Sequence, residues 1–144
     1  MKKIFIDGSC RATKKGAYGA LVVHEDAREE YLTGVLDDTT NNVMELSAML
    51  VALYYIQDNE GTYVICCDSQ YVIKGLTEWV VNWKNFGWKT FAGKAVKNKE
   101  IWRRLSDVYD TVRDRVEIRW VKGHDGNEYN EKIDAAVQAL TRNS

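Results

Sequence analysis

Six residues near the amino terminus, Ile4-Phe5-Ile6-Asp7-Gly8-Ser9, join the composition of a buried strand to a carboxylate at its end. Three consecutive apolar residues suit a strand covered on both faces, as in the middle of a parallel or mixed sheet. Ligands of open α/β sheets gather at the carboxyl ends of such strands, which is where Asp7 falls. Gly8 would allow a sharp turn or a close backbone approach there. Asp, Gly and Ser are also ordinary turn residues, so a single such segment carries little weight. The design recurs, however, at Val64-Ile65-Cys66-Cys67-Asp68-Ser69, and two buried strands ending in Asp predict two carboxylates side by side.

Two further acids occupy awkward helical positions. Glu45 is followed by Leu46, Met49 and Ala52 and so borders the apolar stripe of a long helix. The helix dipole alone would account for a Glu in a first turn, but Asp134 repeats the oddity among Ile133, Ala136 and Val137 of the last helix, a poor place for an interior Asp. Were Asp7, Glu45, Asp68 and Asp134 to converge, each would raise the pKa of the others, and a cation would be needed to compensate. An all-oxygen set suits Mg²⁺ or Mn²⁺ rather than zinc. Two such ions ~3.5–4 Å apart can activate a water and stabilise the leaving oxygen of a phosphodiester.

The elements that must position these groups follow from the patterning. At 144 residues and 16.5 kDa the chain is expected to form one domain, residues 1–144, with a full core. Strands are predicted at Lys3–Asp7, Tyr18–His24, Glu30–Leu36, Tyr63–Asp68 and Val116–Val121, and a long helix over Asn42–Gln57. A short helix Gln70–Lys74 capped by Ser69 and stopped by Gly75, a second over Glu78–Asn85 capped by Thr77, and helices Lys99–Thr111 and Glu131–Thr141 complete the chain. The polar turn Glu25–Arg28 implies a hairpin, while the helix before Tyr63 implies that this strand runs parallel to the first. The order describes one α/β domain with a mixed five-stranded sheet flanked by helices.

Composition excludes some classes and favours others. No apolar run approaches the ~20 residues needed to span a membrane, and the start of the chain meets Asp7 too early for a signal peptide. Three cysteines cannot form a closed disulfide set, and no Cys-x-x-Cys spacing suggests zinc, so Cys66 and Cys67 read as core residues of a reducing compartment, expected to be the cytoplasm. The net charge is −1, yet between Lys74 and Arg104 eight basic residues face only Glu78 and Glu100. Such a patch is the footprint of a polyanion. Trp79 and Trp83 stand four apart near Lys84, where aromatics could pack on sugars and bases while Lys neutralises phosphate. Trp79 is the strongest binding candidate among the tryptophans; Trp102 and Trp120 read as core, and His24 as a strand-end surface residue.

Taken in order, Asp7-Gly8-Ser9, Thr40-Asn41-Asn42-Val43-Met44-Glu45-Leu46, Asp68-Ser69-Gln70-Tyr71-Val72, Trp120-Val121-Lys122-Gly123-His124 and Asn130-Glu131-Lys132-Ile133-Asp134 resemble ribonuclease H, type 1, and do so essentially end to end. Gly75–Trp79, Asn82-Trp83-Lys84, Gly87-Trp88-Lys89-Thr90 and Val96-Lys97-Asn98 are similar to the basic protrusion of the bacterial stand-alone enzymes. The resemblance implies the ribonuclease H-like fold and endonucleolytic cleavage of the RNA strand of RNA–DNA hybrids, leaving 5′-phosphate and 3′-hydroxyl ends. It implies Asp7, Glu45, Asp68 and Asp134 as ligands of two Mg²⁺ ions, with Mn²⁺ as the second candidate, and His124 as a catalytic residue that moves protons or releases product. Substrate contacts implied in the same way are Cys10, Asn41 and Gln70 along the groove that takes the RNA strand, and Thr40 and Asn82 in a pocket for the phosphates of the DNA strand; Trp79, Lys84 and Lys89 are expected as further substrate contacts. The segment Arg11–Gly16 departs from the glycine- and proline-rich loop usual in the bacterial enzymes, with Thr13 where they have a contacting Asn, and Phe86 replaces a basic residue. A monomer with the hybrid duplex as partner, no membrane and no obligate protein partner is expected. Two alternatives stay open: a catalytically inactive hybrid-binding module, and a nuclease of the wider superfamily that cuts DNA.

Overall fold

The computed structural model describes residues 1–122 and 127–142. Strands β1 (Lys2–Cys10), β2 (Gly16–Val23) and β3 (Glu29–Leu36) form an antiparallel meander, helix α1 (Asn41–Asp58) crosses over, and β4 (Tyr63–Cys67) returns parallel to β1. Helix α2 (Gln70–Lys74), a π-helical turn (Gly75–Trp79) and α3 (Val80–Asn85) follow without a break; then come α4 (Lys99–Val112), β5 (Val116–Trp120) and α5 (Glu128–Leu140). The sheet order is β3-β2-β1-β4-β5, with β5 parallel to β4.

The sheet divides two cores, and the strand sequences show why. Ile4 and Ile6 of β1 join Tyr63, Ile65 and Cys67 of β4 on the face covered by α1 and α4, while Phe5, Val64 and Cys66 point to the face covered by Ile133 and Val137 of α5. An apolar run without alternation is what burial on both faces requires. Cys66 and Cys67 are indeed free and buried within these cores. The amphipathic α4 buries Trp102, Leu105, Val108 and Val112 against α1 and the π-helical turn. No helix among the described residues is long and apolar enough to cross a membrane.

Several expectations are corrected. β1 does not turn at Gly8; it runs to Cys10 because Gly8, Ser9 and Cys10 continue to pair with Tyr18, Ala17 and Gly16. Gly8 serves a close approach instead: a Cβ there would stand 2.4 Å from the backbone carbonyl of Met44 and 2.7 Å from the Glu45 nitrogen. Gly75 does not stop a helix, since its φ and ψ of −60° and −46° are right-handed helical. The Thr77 hydroxyl donates back to the Ile73 carbonyl at 2.7 Å and so caps nothing. The last helix starts three residues earlier than expected because Asn127 accepts the Asn130 N–H at 2.9 Å as its N-cap, which puts Asp134 near the end of the second turn. His24 is buried, 8% exposed, with Nε2 3.1 Å from Glu30 Oε1. Trp120 is 49% exposed, because β5 is an edge strand and Trp120 ends it.

Candidate active site

Asp7 and Asp68 come together through strand register. β1 and β4 pair in parallel up to Phe5 opposite Cys66, so the same register carried two residues further sets Asp7 beside Asp68. Asp134 reaches Asp7 from α5 and hydrogen-bonds to it. The Gly8 contact presses β1 onto the first turns of α1, and this brings Glu45 to the same end of the sheet. The Ser69 hydroxyl, which also caps α2 by accepting the Val72 N–H at 3.3 Å, hydrogen-bonds to Glu45.

The electrostatics record the crowding. Burial, the Asp134 hydrogen bond and the negative charges of Asp68 and Asp134 push the Asp7 carboxyl up to about 8, against the Gly8 N–H that donates to Asp7 Oδ1 at 2.9 Å. Burial raises Glu45 as well; Ser69 opposes this and Asp68 adds to it. Cys67, beneath the cluster, is pushed up to about 12 by burial, with Asp68, Glu45 and Asp7 all contributing in that direction. Among the described residues no basic side chain contributes at Asp7 or Glu45. A carboxyl that retains its proton near neutrality for want of a counter-charge is what a divalent cation would relieve, and an all-oxygen donor set matches a hard ion. Among the described residues no three acidic, histidine or cysteine side chains surround one point closely enough to hold an ion as they are oriented. The fit is therefore one of donor type and charge. His124 lies outside the described residues.

The expected RNA-side residues are adjacent to this cluster. The Cys10 N–H donates to Asn41 Oδ1 at 2.7 Å, which ties the end of β1 to the start of α1. Cys10 Sγ also contacts the Thr39 carbonyl at 3.4 Å. Asn41 and Gln70 are exposed first residues of α1 and α2. Thr40 caps α1, its hydroxyl accepting the Val43 N–H at 3.2 Å.

A second region is built around aromatics. Trp79, Asn82 and Lys89 share a groove of about 910 Å³ with Trp83, Phe86, Thr90 and Phe91. Trp83 is the hub of the wall: its ring lies 6.0 Å from Trp79, 6.2 Å from Trp88 and 5.5 Å from the buried Trp102. Trp83 thus belongs both to the groove and to the core, whereas Trp88 packs on the core and lies 5.8 Å beneath Arg103. Lys84 is on the other side of α3, where its ammonium is held by Asp110 at 2.7 Å. Sequence reasoning passed over Phe91, the side chain of Arg11 and the hydrogen bond from Ser69 to Glu45, having read Ser69 only as a helix cap. Phe91 sits fully exposed in a polar loop, and an aromatic in such a loop is the one signal that could have marked it.

The profile of the RNase H family matches residues 1–141. Ribonuclease H of Albidiferax ferrireducens is 41% identical over 133 residues, which cover 92% of this chain and 88% of that protein. Ribonuclease HI of Pseudomonas aeruginosa is 42% identical over 132 residues, covering 91% and 86%. Among solved structures, a type 1 RNase H with the type 2 active-site motif, LC9-RNase H1, superposes with a TM-score of 0.80 at 27% identity, over 96% of this chain and 71% of that one. A foamy viral protease-reverse transcriptase in complex with RNA/DNA hybrid shares the fold alone, with a TM-score of 0.86 at 20% identity over 96% of this chain and 19% of that one.

Proposed function

The chain belongs to the ribonuclease H family, and from that premise we propose that it cuts the RNA strand of RNA–DNA hybrids endonucleolytically by two-metal-ion catalysis, giving 5′-phosphate and 3′-hydroxyl ends. The observation that carries the reading is the meeting of Asp7 and Asp134 with Asp68 and Glu45 at one end of the sheet, with Asp7 driven up to about 8.

Asp7, Glu45, Asp68 and Asp134 would hold the ions, with Mg²⁺ the first candidate and Mn²⁺ the second. When bound, divalent ions supply an activated water and neutralise charge on the phosphodiester. The chain's own residues do the rest. Ser69 orients Glu45. Asn41 and Gln70, polar and uncharged at the rim, suit 2′-hydroxyl recognition, the feature that distinguishes RNA from DNA. Cys10 joins them through its backbone link to Asn41. Thr40, Trp79, Asn82 and Lys89 would take the DNA strand, and His124 would move protons or release product.

The test is cleavage of labelled RNA–DNA, RNA–RNA and DNA–DNA duplexes of one sequence with Mg²⁺, with Mn²⁺ and with EDTA. Metal-dependent cutting of RNA in the hybrid alone is expected. Tight hybrid binding without cutting would instead favour an inactive binding module, and equal cutting of the DNA duplex a DNA nuclease.

A further inference from the structure

The end of β1 and one face of α5 meet in a ladder whose first rung is the Asp7–Asp134 pair. Asp7, Ser9 and Arg11 follow one another at the two-residue spacing that places side chains on one side of an extended chain. Asp134, Gln138 and Thr141 follow at the four- and three-residue spacing of one helical face. The rows match rung by rung. Asp134 hydrogen-bonds to Asp7, Gln138 Nε2 donates to Ser9 Oγ at 3.3 Å, and Arg11 Nε donates to Thr141 Oγ1 at 3.0 Å. The first steps are commensurate, two extended residues rising about 6.8 Å and four helical residues about 6 Å; over the second, three helical residues rise only about 4.5 Å, and the long Arg11 side chain spans the difference.

The first rung is a hydrogen bond as it stands, but it is no clamp in the ionised form that joint ligation of a cation requires, because two carboxylates then repel. The other two hold the elements in register. Arg11 does so twice over, since its second guanidinium nitrogen donates to the Gln138 carbonyl at 3.0 Å. That carbonyl is one of the last four of α5; there it also accepts the N–H of the capping Thr141 at 3.3 Å, and a cation at this end suits the helix dipole. Thr141 is 1% exposed, so the contact is built into the packing rather than laid on the surface.

We propose that Arg11 is a positioning residue: by pinning the carboxyl end of α5 to the end of β1 it holds Asp134 in range of Asp7 for joint ligation of a divalent ion. The role rests on the metal-site reading above. The competing role for an Arg in the basic loop Arg11–Lys15 is contact with substrate phosphate. Arg11 is poorly placed for that, being half-buried with two of its nitrogens already committed at 3.0 Å. Lys14 is the loop cation left exposed, 3.9 Å from Asp38.

The experiment measures Mg²⁺ binding to the free protein by calorimetry and hybrid binding in EDTA by filter retention, for the unsubstituted chain, Arg11→Ala, Arg11→Lys, Thr141→Val and Lys14→Ala. Arg11→Ala is expected to weaken Mg²⁺ roughly tenfold, as loss of groups that orient metal ligands does, with hybrid binding in EDTA nearly unchanged. Thr141→Val and Arg11→Lys should show part of the Mg²⁺ defect. Lys14→Ala should show none of it and should lose hybrid affinity. Unchanged Mg²⁺ affinity in Arg11→Ala, or a loss of hybrid affinity in EDTA matching that of Lys14→Ala, overturns the proposal and makes Arg11 a phosphate contact. Should Arg11→Ala fail to fold, Thr141→Val decides on the same two measurements. Absence of Mg²⁺ binding by the unsubstituted chain overturns the metal-site reading itself, and the role of Arg11 with it.

Discussion

Gly75 and Trp102 touch so closely that a Cβ on Gly75 would stand 2.0 Å from Cη2 of the indole. Trp102 is fully buried and its Nε1 donates to the Tyr71 hydroxyl at 3.3 Å, so the ring has no room to yield. Gly75→Ala should therefore destabilise the fold by about 1–3 kcal/mol, the usual range for overpacking, although alanine is the better helix former. Urea unfolding monitored by far-UV circular dichroism checks this; a stabilised variant would mean that the π-helical turn relaxes at no cost.

Asp68→Asn should abolish metal-dependent cleavage and leave the fold intact. Asp68 follows β4 outside its hydrogen-bonded ladder, and Asn keeps its size while removing the charge an ion would need. Cleavage at the unsubstituted rate, with the same metal dependence, would remove the carboxylate cluster from the chemistry.

The elevated Asp7 makes a prediction for the protein in EDTA. A folded-state pKa raised from 3.8 to about 8 means that the folded chain binds this proton more tightly than the unfolded chain does. That contribution is fully present below pH ~4 and is lost as the pH rises through about 8. Asp7→Asn removes the dependence. At pH 8 in EDTA it should be the more stable protein by roughly 1 kcal/mol or more, several degrees in Tm for a domain of this size, with the advantage shrinking toward pH 4. Thermal melts of the two proteins from pH 4 to pH 9 make the comparison.

In the groove, charge and stacking should separate by salt dependence. Lys89→Ala should lower the slope of log K against log salt by about one unit for hybrid binding, as loss of one phosphate contact does. Trp79→Ala should weaken binding by about 1–3 kcal/mol with the slope unchanged. Lys84→Ala should change neither, because Asp110 already holds its ammonium. A full unit lost from the slope in Lys84→Ala would show that this ion pair opens for substrate.

What could be read from the sequence divides along a physical line. Strands buried on both faces announce themselves by unbroken apolar runs, so β1 and β4 and the carboxylate that follows each run were visible, although Asp7 lies within β1 and not at its end. The cap Ser69 was equally legible, because it satisfies an N–H three residues away; Thr40, which does the same for α1, sits in a run of capping residues, Asp37–Asn42, that does not single it out. Close approaches were not. Gly8 and Gly75 look like turn and stop signals along the chain, yet each is required by a partner distant in sequence, the Met44 backbone or the Trp102 ring. His24 and Trp120 erred in opposite senses because burial at a strand end depends on which neighbour covers it. Lys84 counted as patch charge until Asp110, 26 residues on, was found to hold it.

The indole chain has an optical consequence. Trp79, Trp83, Trp88 and Trp102 are linked through ring separations of 5.5–6.2 Å. At such spacings excitation passes between neighbouring rings faster than any one of them emits, so the four behave as a single antenna running from the core to the groove wall. Light absorbed by the buried Trp102 is emitted in part from Trp79, where an occupant of the groove would quench it. Trp120, on the edge strand and half exposed, is expected to emit at longer wavelength and to serve as an internal reference. The protein thus carries its own label for groove occupancy, read without modification of either strand.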